Sequence, residues 1–441
     1  MSNKRNSGRT AKPTNSRVMA ANILSRLLHH DGSLATLLPR VLSASENAER
    51  HSEVKEMCYG VMRWYFQLDA ILVKLISKPL RRKDADVRAL LLIGLYQLLH
   101  MRTPSHAAVS ETVDAAAALK KSWAKALING VLRNADRQTD ELLAALTPAQ
   151  KMAFPQWLFD HLIQCWPQQA DELMEASNQR PPMTLRVNFA KQTRDAALQS
   201  LRNEDIECGP GPISESAITL NKAVDVAQLP GFRTGHLSVQ DEGAQLAAFL
   251  LDLEEGQRVL DACCAPGGKT GHILERVTNI AVDAMDNSGA RLERVSENLQ
   301  RLGLEAMLIE ADACDAEQWK GAESYQRILL DVPCSATGVI RRNPDIKYLR
   351  RHDDIAELRD VQLAMLQTCW SKLAPGGKLL YSTCSILPEE NQQIIAAFVE
   401  SQDDATHDHI VASWGQECSY GRQLLPSTHD GFYYARLIKS A

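Results

Sequence analysis

The sequence predicts a multidomain chain: an all-α N-terminal domain over 1–146, a small α/β connector over 147–230, and a C-terminal α/β domain over 231–441 whose parallel sheet is covered by helices. Three observations predict it. Apolar residues recur at helical spacing from Ser16 to Leu146, prolines punctuate short segments between Thr147 and Pro230, and strands alternate with helices beyond Gly231. At about 150 residues per domain, 441 residues suggest roughly three domains. A balance of 45% hydrophobic and 23% charged residues excludes a disordered or fibrous chain.

In the first part, Met19, Ile23 and Leu27, then Val87, Leu91, Leu95 and Leu98, recur close to every 3.6 residues, each set predicting one apolar helix face. The first fifteen residues are polar and basic and are expected to be flexible. In the connector, Pro155, Pro167, Pro181 and Pro182 break the chain into short segments, and Thr184–Asn188 reads as a strand; a spacer that only orients its neighbours would look the same. In the third part, strands are expected at 258–263, 280–286, 306–310, 327–330, 379–382 and 432–438. Leu292, Val295, Leu299 and Leu302 form one face of a crossover helix stopped by Gly303.

Several function classes are disfavoured. The longest apolar stretch, Leu90–Leu99, is interrupted by Gly94 and Gln97 and falls short of the roughly 18 apolar residues of a membrane span. The N-terminus lacks the apolar segment of a signal peptide, so a cytoplasmic location is expected. Ten cysteines are too sparse for a disulfide scaffold and none is spaced C-x-x-C, so reduced thiols and no bound metal are expected. A net charge of −5 excludes a globally basic nucleic-acid coat but not a local cationic surface. Two segments are locally positive: Lys4, Arg5, Arg9, Lys12 and Arg17 in the tail, and Arg341, Arg342, Lys347, Arg350 and Arg351, opposed only by Asp345.

In an open α/β sheet the ligand lies beyond the carboxyl ends of the strands, so the residues after each strand carry the information. After the first comes the turn Cys263-Cys264-Ala265-Pro266-Gly267-Gly268-Lys269-Thr270, whose glycines allow close backbone approach. It lacks the leading glycine of a phosphate loop, since position 263 is cysteine, and the G-x-G-x-x-G spacing of a dinucleotide site. Asp286 ends the second strand, about twenty residues past the turn, where a carboxylate accepts hydrogen bonds from ribose hydroxyls. Asp283 competes for that role but lies inside the strand. Asp312 follows the third strand and Asp331 the fourth, although any one such acid can also be a helix cap. A ribose carboxylate without a pyrophosphate cradle fits S-adenosylmethionine, a sulfonium cofactor.

Asp331-Val332-Pro333-Cys334-Ser335 and Ser382-Thr383-Cys384-Ser385 then place two thiols after adjacent strands. Paired thiols beside a methyl donor suggest pyrimidine carbon chemistry, because carbon 5 of cytosine becomes nucleophilic only when a thiolate adds to carbon 6. The amine-methylating run Asp/Asn-Pro-Pro-aromatic is replaced here by Asp-Val-Pro-Cys. The other cysteines, Cys58, Cys165, Cys208, Cys314, Cys369 and Cys418, read as small buried hydrophobes.

Two resemblances add to this reading. Ser105–Glu111 and Leu127–Asn134 resemble the helical RNA-binding fold of the NusB family. Ala265–Thr270, Asp331–Gly338, Tyr381–Ser385, Asp430-Gly431-Phe432 and Ser238–Asp241 together resemble the ribosomal RNA cytosine-C5 methyltransferases of the Sun (Fmu) type, over essentially the whole chain. The resemblance implies a Rossmann-like catalytic domain, small-subunit (16S) ribosomal RNA as substrate, and RNA binding by both preceding domains. It implies that Cys384 is the nucleophile and that Cys334 assists product release, a choice that spacing leaves open. It further implies that Cys263, Cys264, Ala265, Pro266, Gly267, Gly268, Lys269, Asp286, Asp312 and Asp331 bind S-adenosyl-L-methionine and that Asp331 contacts the flipped cytosine. A monomer is expected. One departure is Cys264, where the family commonly has alanine; this small-for-small change leaves the glycine turn intact. The basic run 341–351, just after Cys334, is expected to meet RNA phosphates. Two rivals remain: a non-catalytic RNA-binding factor, disfavoured by the retained cysteines, Lys269 and aspartates, and a cytosine methyltransferase acting on transfer RNA or DNA.

Overall fold

Ala85–His100 is apolar on every side: Val87, Leu90, Leu91, Leu92, Ile93 and Leu95 are all fully buried. It is therefore a core helix, not the one-faced helix expected from Val87, Leu91, Leu95 and Leu98, because helices Ser16–Leu28, His51–Arg63, Tyr65–Leu75, Ser105–Ala118 and Lys125–Arg137 pack around it. Each buried leucine contributes about 1.5–3 kcal/mol. The computed structural model describes residues 15–43, 48–319 and 323–441. The chain divides into two compact units, one holding residues up to Ile163 together with Asn343–Leu349, the other holding Gln164–Arg342 and Arg350–Ala441.

The helical unit absorbs much of the charge that sequence assigns to RNA. Lys4, Arg5, Arg9 and Lys12 lie outside the described residues, as does nearly all of the segment expected to be flexible. Arg17 is buried, donating to Gln97 Oε1 at 3.0 Å and pairing with Glu111. In the segment Asn343–Leu349, Asp345 accepts the Leu34 N–H at 2.8 Å, and Lys347 donates to the Arg63 carbonyl at 2.7 Å while lying over the Phe154 ring. Tyr348 donates its hydroxyl to the Leu28 carbonyl at 3.0 Å. Burial holds the Lys347 ammonium well below the usual lysine range. Lys347 is thus a packed side chain of this unit and not a solvated phosphate contact.

In the second unit, strands β1 (Met183–Val187), β2 (Cys208–Pro210), β3 (Ala217–Leu220) and β4 (Leu237–Val239) form an antiparallel sheet in the order β2-β3-β1-β4. Because β4 pairs with β1, the connector sheet runs past Pro230. It is also more than a spacer. Arg186 of β1, fully buried, binds Glu275 bidentately through Nε and Nη2 (3.0 and 2.7 Å) and donates from Nη1 to the Gly268 carbonyl at 2.6 Å, so the connector grips the helix Gly268–Arg276.

The larger sheet contains β5 (Arg258–Ala262), β6 (Ala281–Asp286), β7 (Met307–Glu310), β8 (Tyr325–Asp331), β9 (Leu373–Thr383), β10 (Ala405–Asp408), β11 (Gln416–Glu417), β12 (Arg422–Leu424) and β13 (Phe432–Lys439). Its order is β11-β12-β13-β9-β8-β5-β6-β7, with β10 beside β13. The strands from β9 to β7 are parallel and β13 is antiparallel. From β5 the chain winds outward to β7, then returns to β8 on the other side, so a topological switch point lies between β5 and β8. The crossover helix Gly289–Leu302 buries Leu292, Val295, Leu299 and Leu302 and ends at Gly303 with φ 71°. Among the described residues no helix is long and apolar enough to cross a membrane.

Candidate functional site

The chain turns sharply where β5 ends. Cys263 and Gly267 take left-handed backbone conformations, φ 64° and 89°, and the Gly267 N–H donates to the Cys264 carbonyl at 2.7 Å. At Gly267 a Cβ would be strained and would also press on Val295 at 3.0 Å. The turn delivers the chain into the helix Gly268–Arg276 and leaves a cavity of about 230 Å³ beyond the ends of β5, β6 and β8.

That cavity gathers part of the expected set. Cys263, Ala265, Asp286, Asp312, Asp331, Cys334 and Cys384 line it, with Met285, Asn287, Arg291, Ala313 and Met365, which sequence reasoning did not single out. Cys264, Pro266, Gly267, Gly268 and Lys269 are not on its wall. Cys264 is buried with Ala284, Leu292, Val295 and Leu299, and burial pushes its thiol up. Lys269 reaches the rim indirectly, through a 2.5 Å ion pair with Asp331, and lies over the Phe432 ring.

The three acids have different surroundings. Asp286, at the end of β6, accepts the Ala265 N–H (3.3 Å) and the Ser288 N–H (3.2 Å) and pairs with Arg291 at 3.3 Å. Asp283 is held inside the sheet by the Tyr325 hydroxyl at 2.7 Å, which removes it as a competitor. Asp331 accepts from Lys269 and from the Ser382 hydroxyl at 3.0 Å. Asp312 is exposed and caps its own turn through the Cys314 N–H at 2.9 Å. Beneath them Asp261, fully buried and bonded to the Thr270 hydroxyl at 2.6 Å, has its pKa raised by burial to about 7.

The Cys334 and Cys384 sulfurs, which line the same cavity, lie 3.4 Å apart, both as free thiols. The hydrogen bond to Cys384 and burial, then the charges of Cys384 and Glu390, push the Cys334 thiol well above its ordinary range. Backbone packing fixes the pair. Gly338 donates its N–H to the Cys384 carbonyl at 2.9 Å, and a Cβ there would lie 2.4 Å from the Gly431 carbonyl oxygen and 2.8 Å from that of Cys384, so only glycine allows this approach.

The remaining basic residues of the run 341–351 are mostly committed inside the protein. Arg341 is buried and pairs with Asp430; Arg342 pairs with Asp430 and, at 2.9 Å, with Asp241. Asp241 also caps the helix Glu242–Leu250, so Asp241 and Asp430 serve as structural anchors. Arg350 donates to the carbonyls of Ser335 (3.3 Å) and Cys334 (3.1 Å). Arg351 is exposed.

A parallel sheet with a reversal beside β5, an acidic rim and no phosphate cradle defines a Rossmann-like methyltransferase domain. Family models match three parts of the chain: 16S rRNA methyltransferase RsmB/F over 248–438, the NusB family over 14–137, and the RsmF/B-like ferredoxin-like domain over 154–227. The ribosomal RNA small subunit methyltransferase B of Pseudomonas syringae pv. tomato is 48% identical over 437 residues, spanning 97% of each chain. The chain belongs to the RsmB/F family of 16S rRNA methyltransferases. Among solved structures, PH0851 matches 96% of this chain and 99% of its own at TM-score 0.81 and 22% identity, a likeness of fold. A methyltransferase homolog from Pyrococcus horikoshii matches 67% of this chain and 100% of its own at TM-score 0.58 and 26% identity.

Proposed function

We propose that this protein transfers the methyl group of S-adenosyl-L-methionine to carbon 5 of a cytosine in small-subunit ribosomal RNA, in the cytoplasm, through a covalent adduct with Cys384. The observation that carries the proposal is the convergence of two thiols 3.4 Å apart on a cavity that also presents the carboxylates of Asp286 and Asp331. The donor set suits this cofactor. Carboxylates dominate the rim, and its cations Lys269 and Arg291 are ion-paired, an arrangement suited to a ligand bearing a positive charge and ribose hydroxyls but no phosphate.

Asp286 would accept the ribose hydroxyls, and Asp331, steadied by Lys269 and Ser382, would orient the cofactor or the extruded base. S-adenosylmethionine, when bound, supplies an electrophilic methyl. The Cys384 sulfur, having lost its proton, would add to carbon 6 of the cytosine, and the electron pair displaced from the ring's 5,6 double bond would form the bond from carbon 5 to the methyl as the methyl's bond to the sulfonium sulfur breaks, leaving a neutral thioether. Loss of the carbon 5 proton to a base then returns an electron pair to the ring and expels the Cys384 sulfur. Cys334, held as a thiol, assists that release by handling protons beside the leaving sulfur.

The test is to incubate the full chain with unmodified small-subunit RNA and methyl-labelled donor, then map the product base. Label at carbon 5 of a cytosine supports the reading; label on an exocyclic nitrogen or a ribose hydroxyl overturns it, and label appearing only in transfer RNA reassigns the substrate.

A further inference from the structure

Ser335 and Ser385, each immediately following one of the two cysteines, turn back to a single carboxylate. Glu390 is fully buried. Its Oε1 accepts the Ser335 N–H at 2.7 Å and the Gln362 amide at 3.1 Å, and its Oε2 accepts the Ser335 and Ser385 hydroxyls, each at 2.5 Å. Among the described residues no lysine, arginine or histidine forms an ion pair with it. Neighbouring bonds brace the same corner: the Tyr381 hydroxyl donates to the Glu390 carbonyl at 2.7 Å, and Asn391 donates to the Ser385 carbonyl at 3.0 Å.

A buried anion satisfied only by neutral donors is costly unless its charge serves a purpose, since tying two loops together needs hydrogen bonds and not a charge. We propose that Glu390 is a positioning residue for the reaction, fixing the two cysteine loops against each other and keeping the proton on Cys334 so that Cys384 alone acts as the nucleophile. This inference rests on the cysteine-adduct reading above. The groups that weigh on Cys334 include Cys384 just beyond β9, Tyr381 of β9 and Glu390 from the turn that follows; the Arg350 guanidinium bonds to the Cys334 carbonyl, and Asp331 lines the same cavity. Of these, Glu390 is the one whose charge both loops share. Its direction of action agrees with the raised thiol of Cys334, where Glu390 contributes after the Cys384 hydrogen bond and burial.

Glu390→Gln keeps the shape and removes the charge. In the full chain, iodoacetamide labelling of Cys334, resolved by peptide mass spectrometry across pH, should reach its half-point about one pH unit lower than in the unsubstituted protein, as expected when a nearby like charge is removed. Turnover should fall at least about tenfold with little change in the donor KM, a loss of the size that misplacement of reacting groups produces. Should Glu390→Gln fail to fold, the pair Ser335→Ala and Ser385→Ala removes two of the four donors to Glu390, the hydroxyls, while keeping its carboxyl group, the backbone N–H at 335 and the Gln362 amide; it should lower turnover and leave the Cys334 labelling profile where it was. A folded Glu390→Gln protein with an unchanged Cys334 profile and unchanged turnover would overturn the proposal, as would a shifted profile in the serine pair. Full turnover by Cys384→Ala would instead sink the adduct reading, and the labelling profile, which needs no turnover, separates the two failures.

Discussion

Cys334 and Cys384, fifty residues apart in the chain, bring their sulfurs to 3.4 Å because β8 and β9 are parallel neighbours and each cysteine lies just beyond the end of its strand. Two thiols this close cannot both ionise readily, so the geometry itself favours a division of labour between one anion and one proton carrier.

Replacing each sulfur separately should expose that division. Cys384→Ala is expected to abolish turnover and any RNA adduct, whereas Cys334→Ala should accumulate an adduct that survives denaturing electrophoresis. The opposite pattern would exchange the two roles.

Asp286→Ala should weaken donor binding without unfolding the domain. Losing hydrogen bonds to a charged group costs about 1.5–3 kcal/mol, or roughly 10- to 100-fold in Kd. Isothermal titration with S-adenosylmethionine measures this directly, and an unchanged Kd would remove Asp286 from the ribose role.

Asp261 should make stability depend on pH. Its carboxyl titrates at about 7 in the folded chain against 3.8 ordinarily, because burial disfavours the charged form. Between those values the native state keeps a proton that the unfolded chain has lost, so stability falls as pH rises from about 4 to 7 and the penalty is complete above that. Asp261→Asn retains the bond to Thr270 and removes the penalty. Relative to the unsubstituted protein it should gain stability between pH 4 and pH 8, on the order of 4 kcal/mol at most. Urea midpoints at the two ends of that range would show the gain; a constant difference would contradict it.

Arg341 and Arg351, ten residues apart, should respond in opposite ways. Arg341→Met leaves Asp430 and Asp241 facing each other with one guanidinium fewer and should cost about 3–5 kcal/mol of stability. Arg351→Ala, at an exposed position, should leave stability nearly unchanged and, if it meets a phosphate, reduce the slope of log affinity against log salt by about one. Filter binding across a salt series separates the two effects.

The strand-end acids were legible because a parallel sheet carries its chemistry beyond the strand termini, and Asp286 and Asp331 both line the cavity there. The competitor Asp283 could be set aside from its place within the strand, although the Tyr325 hydroxyl that holds it was invisible. The glycine turn was legible as a turn, but which of its residues face the cavity depends on backbone handedness at Cys263 and Gly267, and so Cys264 went inward. The basic run was misread because a local count of charges omits partners far along the chain: Arg341 and Arg342 find theirs at Asp430, nearly ninety residues on. Glu390 gave no signal at all, since Pro388-Glu389-Glu390 reads like an ordinary polar turn.

The heptapeptide Asn343–Leu349, encoded in the midst of the methyltransferase sequence, is folded as part of the helical unit. The two units are therefore not consecutive stretches of the chain. A truncation near Ile163 would strip the helical fragment of the residues that contribute Asp345, Lys347 and Tyr348 to its interior, and would leave the remaining fragment with an aromatic ring and a desolvated amine deprived of their native surroundings. Recombining such modules by simple fusion, whether in the laboratory or over evolutionary time, requires a graft at two places in the chain rather than one.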